Sequence, residues 1–328
     1  MCCTPRFLPR ILKKIRLGAM QEARPGRRRF VFSSSTDQTR NPRERTAAQP
    51  GVVSWVNTVA ESLFATLFPA NCRLCSAPLV NISRLPVCEE CLSAVRPIAG
   101  GTCSICGERL VSPYVLSGTD EAKCGMCRRL DPPYAKAVAY GSYSGGLRDL
   151  IHLLKYEQVR PAAAVLGRML AEAIDILEPS FGSDPVLAVP VPLYAGKLRQ
   201  RGFNQSELIA KASIKLNSFG GKLQLNDRVL ERRKETQSQI GLTRHQRREN
   251  LRGAFSVVTP KTVSGREFLL VDDVFTTGTT VSECARVLRR AGASKVWVAT
   301  VARTLKAEAN HAQMDEEKEA PLAVAAAG

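Results

Sequence analysis

Four C-x-x-C pairs within residues 72–127 limit the fold of this chain more than any other feature of its sequence. The segment around them, 70–130, is rich in turn-forming residues and is too short to bury a large core. A C-x-x-C turn places two thiolates on one side of a tight knuckle, and two knuckles supply the four sulfurs of a tetrahedral Zn²⁺ site. The predicted ligands are Cys72, Cys75, Cys88, Cys91, Cys103, Cys106, Cys124 and Cys127.

Eight thiolates make two closed zinc sites that leave no open position for catalysis. Twelve residues separate the first pair from the second, and seventeen separate the third from the fourth. These spacings favour sequential pairing of the knuckles, and an interleaved pairing stays open. An iron–sulfur cluster and redox disulfides are the alternatives to zinc. We favour structural zinc, because its apparent binding free energy of about 10–16 kcal/mol would hold together a segment with little core.

From residue 135 onward, apolar patterns typical of strands and helices alternate. This alternation predicts an α/β domain over 135–304, in which helices cover both faces of a parallel sheet. The polar, Arg-rich span 226–255 interrupts the pattern. The predicted strands are 137–143, 186–191, 268–274 and 295–301, and the predicted helices are 146–156, 161–177, 207–216 and 281–291.

Residues 269–280, LLVDDVFTTGTT, join a buried strand, two acids and a threonine-rich loop that opens a helix. Gly278 lets the backbone turn so that consecutive N–H groups face one point, and the helix N-terminus adds positive potential. Such a loop suits a phosphomonoester. The carboxylates of Asp272 and Asp273 can hold vicinal hydroxyls or a metal-bound sugar, because ligands of open α/β sheets sit at this strand edge. The motif is neither a P-loop nor a G-x-G-x-x-G dinucleotide loop.

Two further segments carry cations suited to an anionic ligand. In residues 189–205, VPVPLYAGKLRQRGFNQ, two prolines stiffen a turn, and Lys197, Arg199 and Arg201 follow as a cluster suited to pyrophosphate. Residues 232–255 are polar and basic, as expected of a mobile lid over an anionic ligand. A merely solvated loop is the alternative. The lid candidates are Arg232, Gln239, Arg247 and Asn250.

The two ends of the chain differ from its middle. Residues 1–50 hold twelve Lys or Arg and three acids, more than half of the net charge of +17. We expect a disordered basic arm; a transit peptide or a mis-assigned start, with Met20 as the true one, are other interpretations. The apolar spacing of residues 52–68 predicts an amphipathic helix. Residues 305–328 show no such periodicity, and we expect them to form a disordered tail. We expect a cytoplasmic protein with no transmembrane segment, since no run of eighteen apolar residues occurs.

The order of the motifs resembles the ComF family over roughly residues 55–304. Paired C-x-x-C knuckles come first, followed by LIHLLKY, PVPL, RGFNQ, the polar insertion and VDDVFTTGTT. The last motif is similar to the motif with which type I phosphoribosyltransferases bind 5-phosphoribosyl 1-pyrophosphate (PRPP). The resemblance implies a type I phosphoribosyltransferase-like α/β domain, with a parallel sheet flanked by helices, preceded by a small Cys-rich double zinc ribbon.

The resemblance also implies roles for residues of the strand–loop motif. Asp272 and Asp273 would be the catalytic pair that binds the ribose 2- and 3-hydroxyls, and Mg²⁺ would accompany PRPP. Lys155 matches a lysine of the family's L-K-[YF] motif, but its spacing alone gives it no role. The residues implied to cradle the 5-phosphate are Thr276, Thr277, Gly278, Thr279 and Thr280.

Two functions follow from the resemblance. The chain is an enzyme that transfers phosphoribosyl from PRPP to an unknown acceptor, in nucleotide metabolism or DNA uptake. Alternatively, it is a non-catalytic module that holds PRPP or a 5-phosphate end. Its zinc ribbons and basic surface would then bind single-stranded DNA, or a protein of competence or recombination. A regulator that senses PRPP is less favoured, because no helix-turn-helix pattern occurs.

Overall fold

The computed structural model describes residues 70–79, 83–110, 122–216, 221–236 and 244–305. The predicted arm 1–50, the predicted helix 52–68, all but the first residue of the predicted tail and the lid candidate Gln239 lie outside these ranges. Within them, every helix is too short or too polar to cross a bilayer.

Two zinc modules of similar construction precede the α/β domain. The first module is residues 70–94 and the second is residues 101–130. In each module the first knuckle is closed by an antiparallel bridge, Asn71 with Pro78 in the first module and Thr102 with Arg109 in the second. Each module then continues into a short helix directly after its third cysteine. These helices are α1 (Glu89–Ala94) and α2 (Gly125–Arg129).

A five-stranded parallel sheet forms the centre of the α/β domain, and its strand order is β1-β7-β6-β2-β3. A separate antiparallel pair, β4 with β5, belongs to the polar insertion. The central strands consist almost entirely of buried residues, as expected of a parallel sheet covered on both faces. The strands are β1 (Lys136–Ser142), β2 (Val186–Pro190), β3 (Leu223–Leu225), β4 (Leu230–Arg232), β5 (Phe255–Val257), β6 (Glu267–Phe275) and β7 (Lys295–Arg303).

Helices cover both faces of this sheet and bury two apolar clusters. On one face Leu150, Leu166 and Ile209 are each fully buried, and on the other face Leu251 and Leu288 are. Each such side chain contributes about 1.5–3 kcal/mol through burial. The remaining helices are α3 (Gly145–Tyr156), α4 (Ala162–Asp175), α5 (Ala195–Arg201), α6 (Gln205–Leu216), α7 (Arg244–Leu251) and α8 (Thr279–Arg290); short 3₁₀ turns span Glu178–Ser180 and Pro260–Thr262.

The predicted fold class is therefore confirmed, and the acids lie within the strand that was predicted at 268–274. Asp272 and Asp273 lie inside β6, which runs on to Phe275. Pairing of β6 with β2 stops at Val271, because β2 ends at Pro190, whereas pairing with β7 continues to Phe275. The two acids consequently lie where one edge of β6 is free of a neighbouring strand.

Candidate functional site

Asp273 is the more enclosed of the two acids, with 4% of its surface exposed. The ammonium of Lys155, near the end of α3, forms an ion pair with Oδ2 of Asp273. The side-chain amide of Gln205 donates a hydrogen bond of 3.2 Å to Oδ1. Burial opposes ionisation of Asp273, but Lys155, together with hydrogen bonds from Asp272 and Gln205, outweighs it and holds the pKa of this carboxyl below its ordinary value. Asp273 is therefore a carboxylate at neutral pH.

Asp272 lies beside Asp273 but has a different electrostatic environment. The hydroxyl of Ser206 donates to its Oδ1 at 2.9 Å, and the backbone N–H of Asp273 donates to the same oxygen at 3.0 Å. Burial, together with the neighbouring Asp273 carboxylate, raises the pKa of Asp272 to about 8. Near neutral pH the two acids thus retain one proton between them. Such a pair can accept hydrogen bonds from one hydroxyl while it donates to another.

Asp272→Asn is expected to raise the melting temperature of the chain more near pH 8.5 than near pH 5. The folded-state pKa of about 8 lies above the ordinary value of 3.8. The folded chain therefore binds this proton more tightly than the unfolded chain does. The wild type consequently loses stability as pH rises from 3.8 to about 8. Asparagine has no such proton to lose. Thermal unfolding followed by circular dichroism measures both shifts, and equal shifts at the two pH values would contradict the raised pKa.

The RGFNQS segment (201–206) positions two of the hydrogen-bond donors to these acids. Gly202, with a φ of 78°, ends α5 in the left-handed conformation. The side chain of Asn204 donates to the carbonyl of Val191 at 3.0 Å and accepts from the N–H of Ser206 at 3.1 Å, which fixes the start of α6. Gln205 and Ser206 therefore begin α6 with their side chains on the acids.

The three predicted pyrophosphate cations occupy different environments on α5. Arg201 donates to the side-chain oxygen of Gln205, which in turn donates to Asp273. Its guanidinium also lies 5.8 Å from the ring centroid of Tyr156. Lys197 and Arg199 are exposed to solvent. The side chain of Gln205 thus connects Arg201 to Asp273. Binding of pyrophosphate by Lys197, Arg199 and Arg201 stays a prediction.

Two residues, Val274 and Phe275, separate Asp273 from the threonine loop, residues 276–280. Gly278 has a φ of 72°, and a Cβ atom at this position would lie 2.5 Å from Cζ of Phe275. Only glycine allows the backbone to turn this closely over the ring. The hydroxyls of Thr277 and Thr279 lie 2.7 Å apart, and α8 begins at Thr279. The loop therefore presents hydroxyl and N–H donors at a helix N-terminus.

The polar insertion is more ordered than the sequence predicted, because β4 and β5 pair on either side of α7. On β4, the guanidinium of Arg232 lies 5.4 Å from the ring centroid of Phe255 and donates to the hydroxyl of Thr236. Burial lowers the pKa of Arg232, and the nearby Cys284 and Asp272 oppose this shift. Asn250 is half-buried on α7.

A cavity of about 580 Å³ is lined by residues of both the second zinc module and the threonine loop. Met126 and Leu130 of the module and Thr276 and Thr277 of the loop form part of its wall. Volumes of this order are typical of small-molecule sites. The arginines that line the cavity are Arg247, Arg248, Arg286 and Arg303.

The eight predicted zinc ligands form two groups of four, paired sequentially along the chain, and within each group the sulfurs lie within 4.8 Å of one another. Cys72 and Cys91 have their sulfurs 3.9 Å apart, and in the second module Cys106 and Cys124 have theirs 3.7 Å apart. A zinc tetrahedron with Zn–S bonds of about 2.3 Å requires edges of about 3.8 Å. Both groups therefore fit zinc.

Hydrogen bonds prepare one sulfur in each module for metal binding. The N–H of Cys88 donates to the sulfur of Cys72 at 3.3 Å, and the N–H of Cys124 donates to that of Cys103 at 3.3 Å. Hydrogen bonding from Cys106, which outweighs burial, lowers the pKa of Cys103 to about 4. The second module thus holds a thiolate at neutral pH, as zinc binding requires.

Three residues at the acids were not predicted as site residues: Lys155, Gln205 and Ser206. Lys155 carries a weak signal, because it is a cation directly after the apolar residues of LIHLL in a predicted amphipathic helix. Gln205 is the last residue of the RGFNQ motif and Ser206 follows it, but spacing does not show that they face β6.

Comparison with known proteins agrees with this architecture. Residues 63–129 match the double zinc ribbon domain family, and residues 216–321 match the phosphoribosyl transferase domain family. A hypoxanthine phosphoribosyltransferase structure from Staphylococcus aureus is 13% identical, with a TM-score of 0.28, covering 42% of this chain and 62% of that one.

Two curated relatives match the chain over most of their own length. DNA utilization protein YhgH of Salmonella typhi is 34% identical over 238 residues, which cover 72% of this chain and 98% of that protein. Competence protein F of Haemophilus influenzae is 32% identical over 224 residues, which cover 66% of this chain and 96% of that protein. This chain belongs to the ComF family, in which a double zinc ribbon precedes a phosphoribosyltransferase domain.

Proposed function

We propose that this protein binds PRPP with Mg²⁺ at the carboxyl end of β6 and transfers its phosphoribosyl group to an acceptor, with release of pyrophosphate. The observation that carries the proposal is the enclosed Asp272–Asp273 pair, followed in the same strand–loop–helix segment by the threonine loop. Vicinal ribose hydroxyls suit adjacent carboxyl groups, and a sugar phosphate suits N–H donors at a helix N-terminus. Family membership supports the same ligand.

Each group of residues has a task in this proposal. Asp272 and Asp273 bind the 2- and 3-hydroxyls of ribose, while Lys155 keeps Asp273 charged. The threonine loop binds the 5-phosphate. Lys197, Arg199 and Arg201 bind the pyrophosphate end, where Mg²⁺, when bound, would offset negative charge. The residues proposed to cover the ligand are Arg232, Gln239, Arg247 and Asn250.

The proposed reaction is a displacement at C1 of the ribose. The bond from C1 to the pyrophosphate oxygen breaks, pyrophosphate leaves with the electron pair, and a lone pair of the acceptor forms the new bond to C1. Positive charge develops on C1 and the ring oxygen in the transition state, so that fixed geometry and nearby negative charge supply the acceleration. The Asp272–Asp273 pair supplies both, because it orients the ribose ring and carries net negative charge.

Isothermal titration calorimetry of the zinc-loaded chain tests the binding step. Mg²⁺·PRPP is expected to bind with a micromolar Kd, whereas pyrophosphate alone binds at least about tenfold more weakly, because it lacks the ribose and the 5-phosphate. Release of pyrophosphate is then followed across nucleobases and single-stranded DNA as acceptors. Absence of heat at millimolar Mg²⁺·PRPP would contradict the proposal.

A second candidate function is a module that holds a 5-phosphate end without turnover. The arginine-lined cavity beside the threonine loop favours it, since Arg247 and Arg248 would offset the charge of a terminal 5-phosphate and of nearby backbone phosphates. Relatives are named for DNA utilization and competence. The same calorimetry separates the two functions. Tight Mg²⁺·PRPP binding without pyrophosphate release, together with preference for a 5-phosphorylated over a 5-hydroxyl oligonucleotide, would favour the module.

A further inference from the structure

We infer that the second zinc module fixes the shape of the threonine loop through Arg303, so that zinc in this module and PRPP at the loop bind cooperatively. Arg303 is then a positioning residue, which acts on the ligand through Phe275. The inference rests on the proposed function insofar as PRPP is the ligand of the loop. Zinc in the second module is coupled to this ligand, and zinc in the first module is not.

Arg303 joins the end of β7 to the second zinc module by three contacts. Its guanidinium donates to the carbonyl oxygen of the zinc ligand Cys106 and lies 3.8 Å from the sulfur of the same residue. It also forms an ion pair of 2.7 Å with Glu108. The side chains of Arg303 and Glu108 are 5% and 8% exposed, so water cannot replace either partner. The position of Arg303 therefore depends on the folded knuckle.

Arg303 also contacts the residue on which the threonine loop rests. Its guanidinium lies 4.6 Å from the ring centroid of Phe275, and the edge of Tyr134 packs on the same ring at 6.4 Å. The N–H of Thr304 donates to the carbonyl of Phe275 at 3.0 Å. The Phe275 ring fills the space beside Gly278. A shift of Arg303 therefore moves the ring, and a shift of the ring moves the loop.

Arg303 adds a polar connection to an interface that is otherwise apolar. The buried cysteines of the second module belong to the same apolar cluster as Phe275. The module is also tied to β1, where the N–H of Ala137 donates to the carbonyl of Ile105 at 2.6 Å. Arg303 contacts both a zinc ligand and the Phe275 ring, so disorder in the knuckle would reach the loop through the Arg303–Phe275 pair.

The first zinc module provides an internal comparison, because its contacts with the domain are elsewhere. Leu74 and the carbonyl of Cys91 lie within 4 Å of the Cβ position of Gly146, at the start of α3. Arg73 forms a solvent-exposed ion pair of 3.5 Å with Glu157, beyond the other end of α3. Within the described ranges, these contacts reach α3 at Gly146 and the chain beyond it at Glu157, and they involve neither the threonine loop nor Lys155, the residue of α3 that pairs with Asp273. Zinc in the first module is therefore expected to be indifferent to PRPP.

The first test is an equilibrium zinc-release experiment on the wild-type chain, in which a chromogenic chelator competes for zinc with and without saturating Mg²⁺·PRPP. Cooperative binding is reciprocal in affinity, so a ligand that requires the ordered module must tighten binding of its zinc. We expect Mg²⁺·PRPP to raise the apparent affinity for one zinc at least about fivefold and to leave the affinity for the other unchanged. Equal zinc affinities with and without bound PRPP would overturn the inference while leaving PRPP binding intact.

The second test uses Arg303→Met, which removes the charge but keeps much of the side-chain volume, and Arg303→Lys, which keeps the charge. In calorimetry on the zinc-loaded chain, Arg303→Met is expected to weaken Mg²⁺·PRPP binding at least about tenfold, with partial recovery in Arg303→Lys. Arg73→Met, in the first module, is the matched control and is expected to change Kd less than about twofold. Unchanged affinity in Arg303→Met would overturn the inference.

These outcomes remain distinct from failure of the proposed function. If wild-type chain shows no Mg²⁺·PRPP binding, the proposed function is wrong and the coupling to that ligand is wrong with it. If PRPP binds but neither zinc responds, only the coupling is wrong. If Arg303→Met does not fold, the zinc-release experiment on the wild type still decides, because it needs no variant.

Discussion

Replacing Asp272 and Asp273 together by asparagine is expected to weaken Mg²⁺·PRPP binding by more than about 100-fold. At about pH 8.5, above the pKa of about 8 of Asp272, both acids are largely ionised. Each carboxylate lost there removes charge-assisted hydrogen bonds worth about 1.5–3 kcal/mol, so the pair corresponds to about two to four orders of magnitude in Kd. Asparagine keeps the size of the side chain and its first hydrogen-bonding oxygen. Loss of affinity would therefore report charge and not shape. Isothermal titration calorimetry of the zinc-loaded chain measures the effect.

The double substitution also leaves Lys155 without its counter-ion inside the domain. A buried charge that loses its partner costs about 3–5 kcal/mol, so the melting temperature is expected to fall. Circular dichroism must therefore show a folded chain at the temperature of the titration. Asp184→Asn, on an exposed loop residue before β2, removes the same charge away from the site and should leave both Kd and melting temperature unchanged. Wild-type affinity in the double variant would show that ribose is held elsewhere.

The elements that carry the acids could be predicted because each has a complete local pattern. The apolar residues before Asp272 form a buried strand in any parallel sheet, and the threonine-rich turn at Gly278 identifies the start of a helix. The structure agrees to within two residues, with β6 at Glu267–Phe275 and α8 at Thr279–Arg290. Site residues that lie within one strand–loop–helix segment can thus be predicted from the sequence.

The partners of the acids could not be predicted in this way. Gln205 is 68 residues from Asp273, and Glu108 is 195 residues from Arg303. Which side chains meet across such distances depends on strand order and on the face each helix covers, and neither is encoded in local spacing. The strands of the polar insertion were missed for another reason. Three residues each, as in β4 and β5, are too few to show a period.

The spacings favoured sequential pairing of the zinc knuckles but left interleaved pairing open, because four C-x-x-C turns are chemically equivalent. The structure confirms the sequential pairing. The two modules that result are not equivalent in their surroundings. All four cysteines of the second module are buried, whereas in the first module only Cys72 is. This difference arises because the second module packs on the end of β7 through Arg303.

Cys103→Ala is expected to reduce the zinc content of the chain from two equivalents to one and to lower its melting temperature by more than about 10 °C. Three remaining thiolates cannot close a tetrahedron, so most of the binding free energy of about 10–16 kcal/mol for that site is lost. The second module has little apolar core of its own to compensate. Metal analysis by mass spectrometry and thermal unfolding measure the two effects on the same sample.

Cys284→Ala is the matched control, because Cys284 is as buried as Cys103 but lies on α8, apart from both groups of zinc ligands. It removes one buried sulfur from packed surroundings, for which we expect a loss of about 1–2 kcal/mol and unchanged zinc content. The contrast separates metal binding from packing. If Cys103→Ala kept two zinc equivalents, another donor would have to complete the site. If it lost zinc without loss of stability, the second module would be held by its contacts with β1 and β7, and zinc would serve another purpose than folding.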